Sequence, residues 1–494
     1  MVTRRASVDF LQPDSPTTAR VFALLTEKDA FMFSANTYTH RRQRLKADVR
    51  SGLILFLGNR QSPINAPDNC HFFRQDSSFL YFWGIDLPNL AAVIDVEADT
   101  ETVFGDDLSL DDLIWSGPQP SLLERCRDIG VDWCASSNQL HAVVAAAIKR
   151  QRLVHFLPPY RMDHRMQVAE LCAMDPSAVA GSTSKTLIRA VIRQRSVKSE
   201  AELAQIEAAL VINAAMQTTA MRMATPGRYE REVVGAIEGL AYGRSGRKPP
   251  FRTIFSIHGQ TLHNHCHGNL MQAGRLAICD CGAESPMGYA SDTTRTIPVG
   301  GRFTSRQKEI YEVVLGMQAD ALAAMKPGIP FKDVHQIAAR RLSSDLKDLG
   351  LMHGNVDRAV QTGAYALFFP HGVGHMLGLD VHDMECLGED EVGYTEDIPR
   401  DSRFGINRLR LAKPLAPGFV VTVEPGIYFI PQLIEQWRGE NRFSDLIDYG
   451  KLESYLDFGG VRIEDDVRVT STGAAVLGPP IPRTPATVES CCRG

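Results

Sequence analysis

Four carboxylates and one imidazole, each embedded in an apolar, strand-like run, constrain this chain more than any other feature. They are Asp280 in LAICDCG, Asp292 in YASDTTRT, His375 in FFPHGVGHMLG, Glu424 in VVTVEPGIYF and Glu464 in GGVRIEDD. Burying an ionised carboxylate is unfavourable unless a partner replaces its lost hydration. A fold that buries four of them must bring them to a common partner. An oxygen-rich donor set with one imidazole suits a hard or borderline divalent cation.

The rest of the composition narrows the field. A length of 494 residues points to two or more domains. The formal charge of −5 leaves no basic footprint, so nucleic acid is not an expected partner. No apolar run reaches the length of a membrane span, so no membrane partner is expected either. Residues 1–20 carry Arg4, Arg5, Asp9 and Asp14 and lack an apolar stretch, which argues against a secretory leader. Cys279 and Cys281 share one strand face, a poor disulfide geometry. We read the ten cysteines as reduced thiols, the location as cytoplasmic, and Cys491 and Cys492 as exposed.

Residues 40–185 alternate strand-like and helix-like segments, the pattern of an α/β domain. SGLILFLG (51–58) and NLAAVIDV (89–96) read as buried strands, and QLHAVVAAAIK (139–149) as a helix. Ser199 to Glu202 has the form of a helix capping box, followed by a stripe of Leu203, Ile206 and Leu210. The second half shows an internal repeat. One helix ends at Pro226-Gly227 and another at Pro327-Gly328, and Val233 and Val334 follow each proline at the same distance. Each unit then leads into β segments, expected around Thr253–Phe255 and Phe368–Phe369. Two such halves can place a site between their sheets.

Asp280 and Asp292 flank the turn-like GAESPMG, so a hairpin brings the two carboxylates together. Such a pair repels unless cations intervene. Three histidines, His371, His375 and His382, fall within twelve residues, with glycines that let the backbone approach a ligand closely. Glu424 ends a β-branched run before a Pro-Gly turn. Glu464 follows Arg462 by two positions on one strand face. His263, His265 and His267 alternate in LHNHCHG and, in a strand, would share a face able to hold zinc.

In these contexts the order Asp, Asp, His, Glu, Glu resembles the M24 metallopeptidases, the pita-bread family. HGVGHMLGLDVHD, PGFVVTVEPGIYF and GGVRIEDDVRVT resemble its proline-specific branch, and FRQDSSFLYFWGI resembles the N-terminal domain of that branch. The resemblance implies a creatinase-like α/β domain over residues 1–190. It implies an α+β pita-bread catalytic domain of two pseudo-symmetric halves over 191–494. It implies two divalent metals, usually Mn²⁺, with Co²⁺ or Zn²⁺ possible. Asp280 would chelate one metal, His375 and Glu424 the other, and Asp292 and Glu464 would bridge them. A bridging hydroxide would attack the bond. Glu424 matches the proton shuttle, His382 an oxyanion-stabilising histidine, and His263 and His371 substrate-side histidines. Arg462 matches an arginine beside the second bridging glutamate and is read, with Arg410, His263 and His371, as substrate-binding.

Two activities fit that branch: Xaa-Pro dipeptidase, or prolidase, and aminopeptidase P, which takes longer peptides. Arg410, fourteen residues before Glu424, matches a prolidase arginine that grips the substrate's terminal carboxylate. The insertion IPQLIEQWRGENRFSDLIDYGKLESYLDF also resembles prolidases, so the dipeptidase reading is favoured. FRQDSSFLYFWGI and IWSGPQP lean towards aminopeptidase P, and a non-catalytic binding module is the remote alternative. Proline-containing dipeptides or short peptides are the implied substrates, and a homodimer or homotetramer the implied assembly. One departure stands out. Asp292 follows Asp280 by twelve positions, one more than the family pattern, and the extra residue should bulge from the turn 284–288.

Overall fold

The structure is a computed structural model that describes residues 32–493; the reading of residues 1–20 lies outside them. β1 (Leu53–Leu57) and β2 (Ala91–Asp95) form within the two apolar runs. With β3 (Thr100–Phe104), β4 (Cys134–Ala135) and β5 (Val154–Phe156) they build a mixed sheet in the order β4-β3-β2-β1-β5. Alternate residues of these strands enter different cores, as strand geometry requires. Leu53, Leu55 and Val93 pack with Leu140 and Val144 of the helix Leu140–Lys149. Ile54, Phe56 and Ile94 join the larger core with Phe82 and Trp83, from the short helix α1 (Ser77–Trp83).

The second half opens with α2 (Glu200–Met223), whose start carries the capping box. Ser199 and Glu202 bond each other's backbone N–H groups, and Leu203, Ile206 and Leu210 are buried. α2 packs on α3 (Glu230–Ser245), and α4 (Ser305–Ala324) packs on α5 (Phe331–Asp348). The repeat is visible at the joints. Gly227 and Gly328 have φ of 83° and 85°, values that favour glycine. Their N–H groups donate to Met271 O and Leu415 O at 2.9 and 2.8 Å.

Each helix pair leads to an antiparallel sheet. β6 (Ile254–Ser256), β7 (Leu276–Cys281) and β8 (Thr293–Pro298) form the first. After the second pair, β9 (Val420–Val423), β12 (Asp465–Val469) and β13 (Ala474–Val476) form a three-stranded sheet in the order β9-β12-β13, and β10 (Gly426–Tyr428) pairs with β11 (Gly460–Arg462) in a separate two-stranded one.

Two expectations need correction. Phe368 and Phe369 are not in a strand; a short 3₁₀ turn, Ala364–Leu367, runs into them, and both rings are fully buried. Cys491 and Cys492 are half-buried at the end of the helix Pro485–Cys492, whereas the exposed thiols are Cys266 and Cys386. Among the described residues no helix is long and apolar enough to cross a membrane.

Candidate metal centre

The hairpin β7–β8 sets two of the five groups. Thr294 stands opposite Asp280, and the same register continues outward to the Glu284–Ala290 bridge. Asp292, two residues before Thr294, therefore shares the face of Asp280. The longer spacing is absorbed at the tip, where Gly288 N–H donates to Ser285 O across a turn with Pro286 inside. No register slip follows.

Glu424 and Glu464 sit at the break between the three-stranded sheet and the two-stranded one. Val423 pairs with Asp465 on one side of the break and Gly426 with Arg462 on the other. The interruption at Glu424-Pro425 and Ile463-Glu464 turns both carboxylates out of the ladder. The segment 373–377 lies along β9: Thr422 N–H donates to His375 O at 3.0 Å and Glu424 N–H to Val373 O at 2.8 Å. The approach is close enough that a Cβ on Gly374 would stand 2.0 Å from Thr422 O.

These elements bring Asp292, His375 and Glu464 together, with one donor atom from each lying within 4.8 Å of the others. His375 Nε2 lies 3.7 Å from Asp292 Oδ2 and 3.7 Å from Glu424 Oε1. His375 Nδ1 bonds Met376 O at 3.0 Å, which orients the ring and leaves Nε2 free to act as a donor atom. Asp280 stands apart: Arg462 Nη2 donates to its Oδ2 at 2.6 Å. Oδ1 of Asp280 and of Asp292 are buried with no partner.

The electrostatics of these groups fit a cation-binding donor set. Burial, then the neighbouring Glu464 and Asp280, holds the Asp292 carboxyl well above its usual range. Burial and Glu424 do the same to Glu464. Burial pushes Glu424 up to about 8 and His375 down to about 3. Neutral imidazole and crowded, orphaned carboxylate oxygens form a donor set that fits divalent cations.

The other candidate residues line the same cavity of about 1070 Å³. The His382 ring lies 4.2 Å from that of His375, and its Nδ1 is 3.4 Å from Glu385 Oε2. His371 Nε2 is 2.9 Å from the Tyr428 hydroxyl, and its Nδ1 is 3.7 Å from Glu424 Oε2. Arg462 is buried and committed, donating to Tyr428 Oη at 2.8 Å and Thr294 Oγ1 at 3.2 Å as well as to Asp280. Arg410 Nη1 contacts Glu385, and Glu389 Oε2 at 3.3 Å. His263 lines the cavity from an irregular segment rather than a strand. The three-histidine zinc face therefore does not form: His267 Nε2 bonds Thr253 O at 3.0 Å instead.

Sequence reasoning missed Thr294, Tyr428 and Glu385. Thr294 donates to Glu464 Oε2 at 2.7 Å. It also missed Arg74, on the segment before α1. Arg74 Nε donates to Glu284 at the hairpin tip at 2.6 Å, and Nη2 donates to Leu379 O on the loop that carries His382.

Comparisons with known proteins agree with this architecture. A sequence model described as Metallopeptidase family M24 matches residues 204–471, and one described as Aminopeptidase P, N-terminal domain, matches residues 38–155. The chain is 31% identical to a human Xaa-Pro dipeptidase over 92% of this chain and 91% of that relative. It is 32% identical to a probable Xaa-Pro aminopeptidase of Aspergillus niger over 87% and 91%. Among solved structures, Escherichia coli aminopeptidase P with the inhibitor Pro-Leu superposes with a TM-score of 0.76 at 27% identity. The match covers 94% of this chain and 99% of that one. A zinc-substituted form of the same enzyme with product gives 0.75.

Proposed function

The chain belongs to metallopeptidase family M24, and from that premise we propose that it hydrolyses the Xaa-Pro bond at a peptide N-terminus. The observation that carries this is the convergence of Asp292, His375 and Glu464 beside Glu424, with orphaned oxygens on Asp280 and Asp292. Asp280, Asp292, His375, Glu424 and Glu464 would hold two divalent cations, manganese in our reading, with cobalt or zinc as substitutes. Bound there, such ions acidify a water and polarise the scissile carbonyl.

The chain's own groups supply the rest. Glu424 faces the cavity beside His375 and is placed to take a proton and return it to the leaving proline nitrogen. His371, held by Gly372 O and the Tyr428 hydroxyl, stands beside Glu424 on the substrate side. His382 faces the cavity and offers a ring N–H to a developing oxyanion. His263 lines the substrate side. Arg462 holds Asp280 in place and acts on substrate only through that contact.

Dipeptidase activity is the favoured form, because Arg410 lines the cavity and a guanidinium suits a terminal carboxylate. One observation favours the aminopeptidase P form: Arg410 already contacts Glu385 and Glu389. Turnover of Ala-Pro against Ala-Pro-Ala with Mn²⁺ separates the two. Cleavage of the dipeptide alone selects the dipeptidase, strong tripeptide turnover selects the aminopeptidase, and neither reaction defeats the proposal.

The division into residues 1–190 and 191–494, a cytoplasmic location and a homodimeric or homotetrameric assembly belong to the same proposal. The division and the assembly rest on the family resemblance, and the location on reading the cysteines as reduced. Light scattering reads the assembly directly.

A further inference from the structure

We propose that Glu385 is a specificity-determining residue that partly masks Arg410 and so weakens, without abolishing, its grip on a free carboxylate on the proline. This rests on reading Arg410 as the group that meets the substrate's terminal carboxylate.

Glu385 occupies the first position of a 3₁₀ turn, Glu385–Leu387, directly after Met384, whose φ is 67°. The turn is anchored from below. Asp383 is buried and accepts hydrogen bonds from Arg195 at 2.7 Å and Lys198 at 2.9 Å. This anchoring aims the Glu385 carboxylate at two cavity groups at once, Arg410 Nη1 and His382 Nδ1. Glu389 Oε2 lies 3.3 Å from the same Arg410 nitrogen, and Glu389 also contacts Arg400. Asp390 lies 2.8 Å from Arg400 Nε. Arg410 thus faces two carboxylates, Glu385 and Glu389, on the single nitrogen Nη1.

The Glu385 side chain is 15% exposed and that of Arg410 is 35%, so water screens their contact only in part. Nε and Nη2 of Arg410 have no protein partner among the described residues, so a carboxylate can still dock on that edge. It does so in competition with the two resident carboxylates, Glu385 and Glu389. A longer peptide, or one capped as an amide, carries no charge at this point and escapes the penalty. Glu385 acts through Arg410 and is a positioning residue, not a catalytic one.

The test is the ratio of KM for Ala-Pro to KM for Ala-Pro amide, measured with the Mn²⁺-loaded enzyme. Glu385→Gln lowers this ratio roughly fivefold, the upper end for one partly exposed charge contact. Glu385→Asp, which keeps the charge, stays near wild type. Arg410→Ala raises the ratio. If Glu385→Gln leaves the ratio unchanged or raises it while Arg410→Ala still raises it, masking is wrong and the role of Arg410 stands. If neither variant moves the ratio, the reading of Arg410 fails and the masking with it. A wild type that turns over neither substrate overturns the peptidase reading itself.

Discussion

Arg462 Nη2 lies 2.6 Å from Asp280 Oδ2, so one of the five groups meets an internal cation before any metal arrives. Among the described residues, Asp292, Glu424 and Glu464 contact histidines or Thr294 rather than a guanidinium. This asymmetry divides the site into a pre-neutralised side and an open side. Calorimetric titration should therefore show two binding steps of unequal affinity. Asp280→Asn should remove the weaker step and keep the stronger. Two equal steps in the wild type would contradict this division.

Asp292 and Glu464 carry the heaviest load, because each lies within reach of both His375 and the other carboxylate. Replacing either with Ala should reduce bound metal below two per chain. Hydrolysis should drop by at least about a hundredfold, beyond what loss of a supporting group costs. Metal analysis by mass spectrometry and single-substrate kinetics read both. Wild-type turnover after metal reconstitution in either variant would end the dinuclear assignment.

Protonation sets a pH signature for the metal-free protein. The folded carboxyl pKa values of Asp292, Glu424 and Glu464 lie above their unfolded values, so their ionisation destabilises the fold. His371, His375 and His382 are pushed down to about 3 by burial, so their protonation in the unfolded chain costs stability below about pH 6.5. Between that point and about pH 8, where Lys413 begins to lose its proton in the fold, the raised carboxylates set the slope, and the thermal midpoint of chelator-treated protein should fall. Metal affinity should rise over the same window with release of protons. Calorimetry in two buffers of different ionisation enthalpy measures that release, and its absence would count against the shifts.

Backbone contact at the His375 segment makes a sharp steric prediction. In Gly374→Ala the new methyl would meet Thr422 O at 2.0 Å, and the segment must shift. A cost of about 1–3 kcal/mol is expected for such overpacking, with weakened metal binding. Gly235→Ala, in α3 with open space around it, should instead stabilise by roughly 0.5–1 kcal/mol. Denaturant melts of both variants give the comparison, and a neutral Gly374→Ala would show that the approach is looser.

The sequence made legible whatever depends on local pattern. β1, β2, the helix Leu140–Lys149 and the capping box at Ser199 follow from periodicity and capping chemistry. The hairpin followed from the turn residues between Asp280 and Asp292. Phe368 and Phe369 misled because an apolar pair reads alike in a strand and in a buried turn. His263, His265 and His267 misled because alternation means a shared face only where a strand exists. Thr294, Tyr428, Glu385 and Arg74 were hidden for another reason. Arg74 lies far from Glu284 and Leu379 in the chain, and Thr294 equally far from Glu464. No local pattern announces such a pair.

The Arg74 contacts also bear on portability. One guanidinium from outside the M24-matching segment fastens both the hairpin tip at Glu284 and the loop ahead of His382. A catalytic half cut free of its N-terminal companion would keep every proposed metal donor in its sequence. It would lose the brace that spans the two segments presenting them. Anyone grafting this site onto another scaffold must therefore carry the brace across, or build a substitute for it.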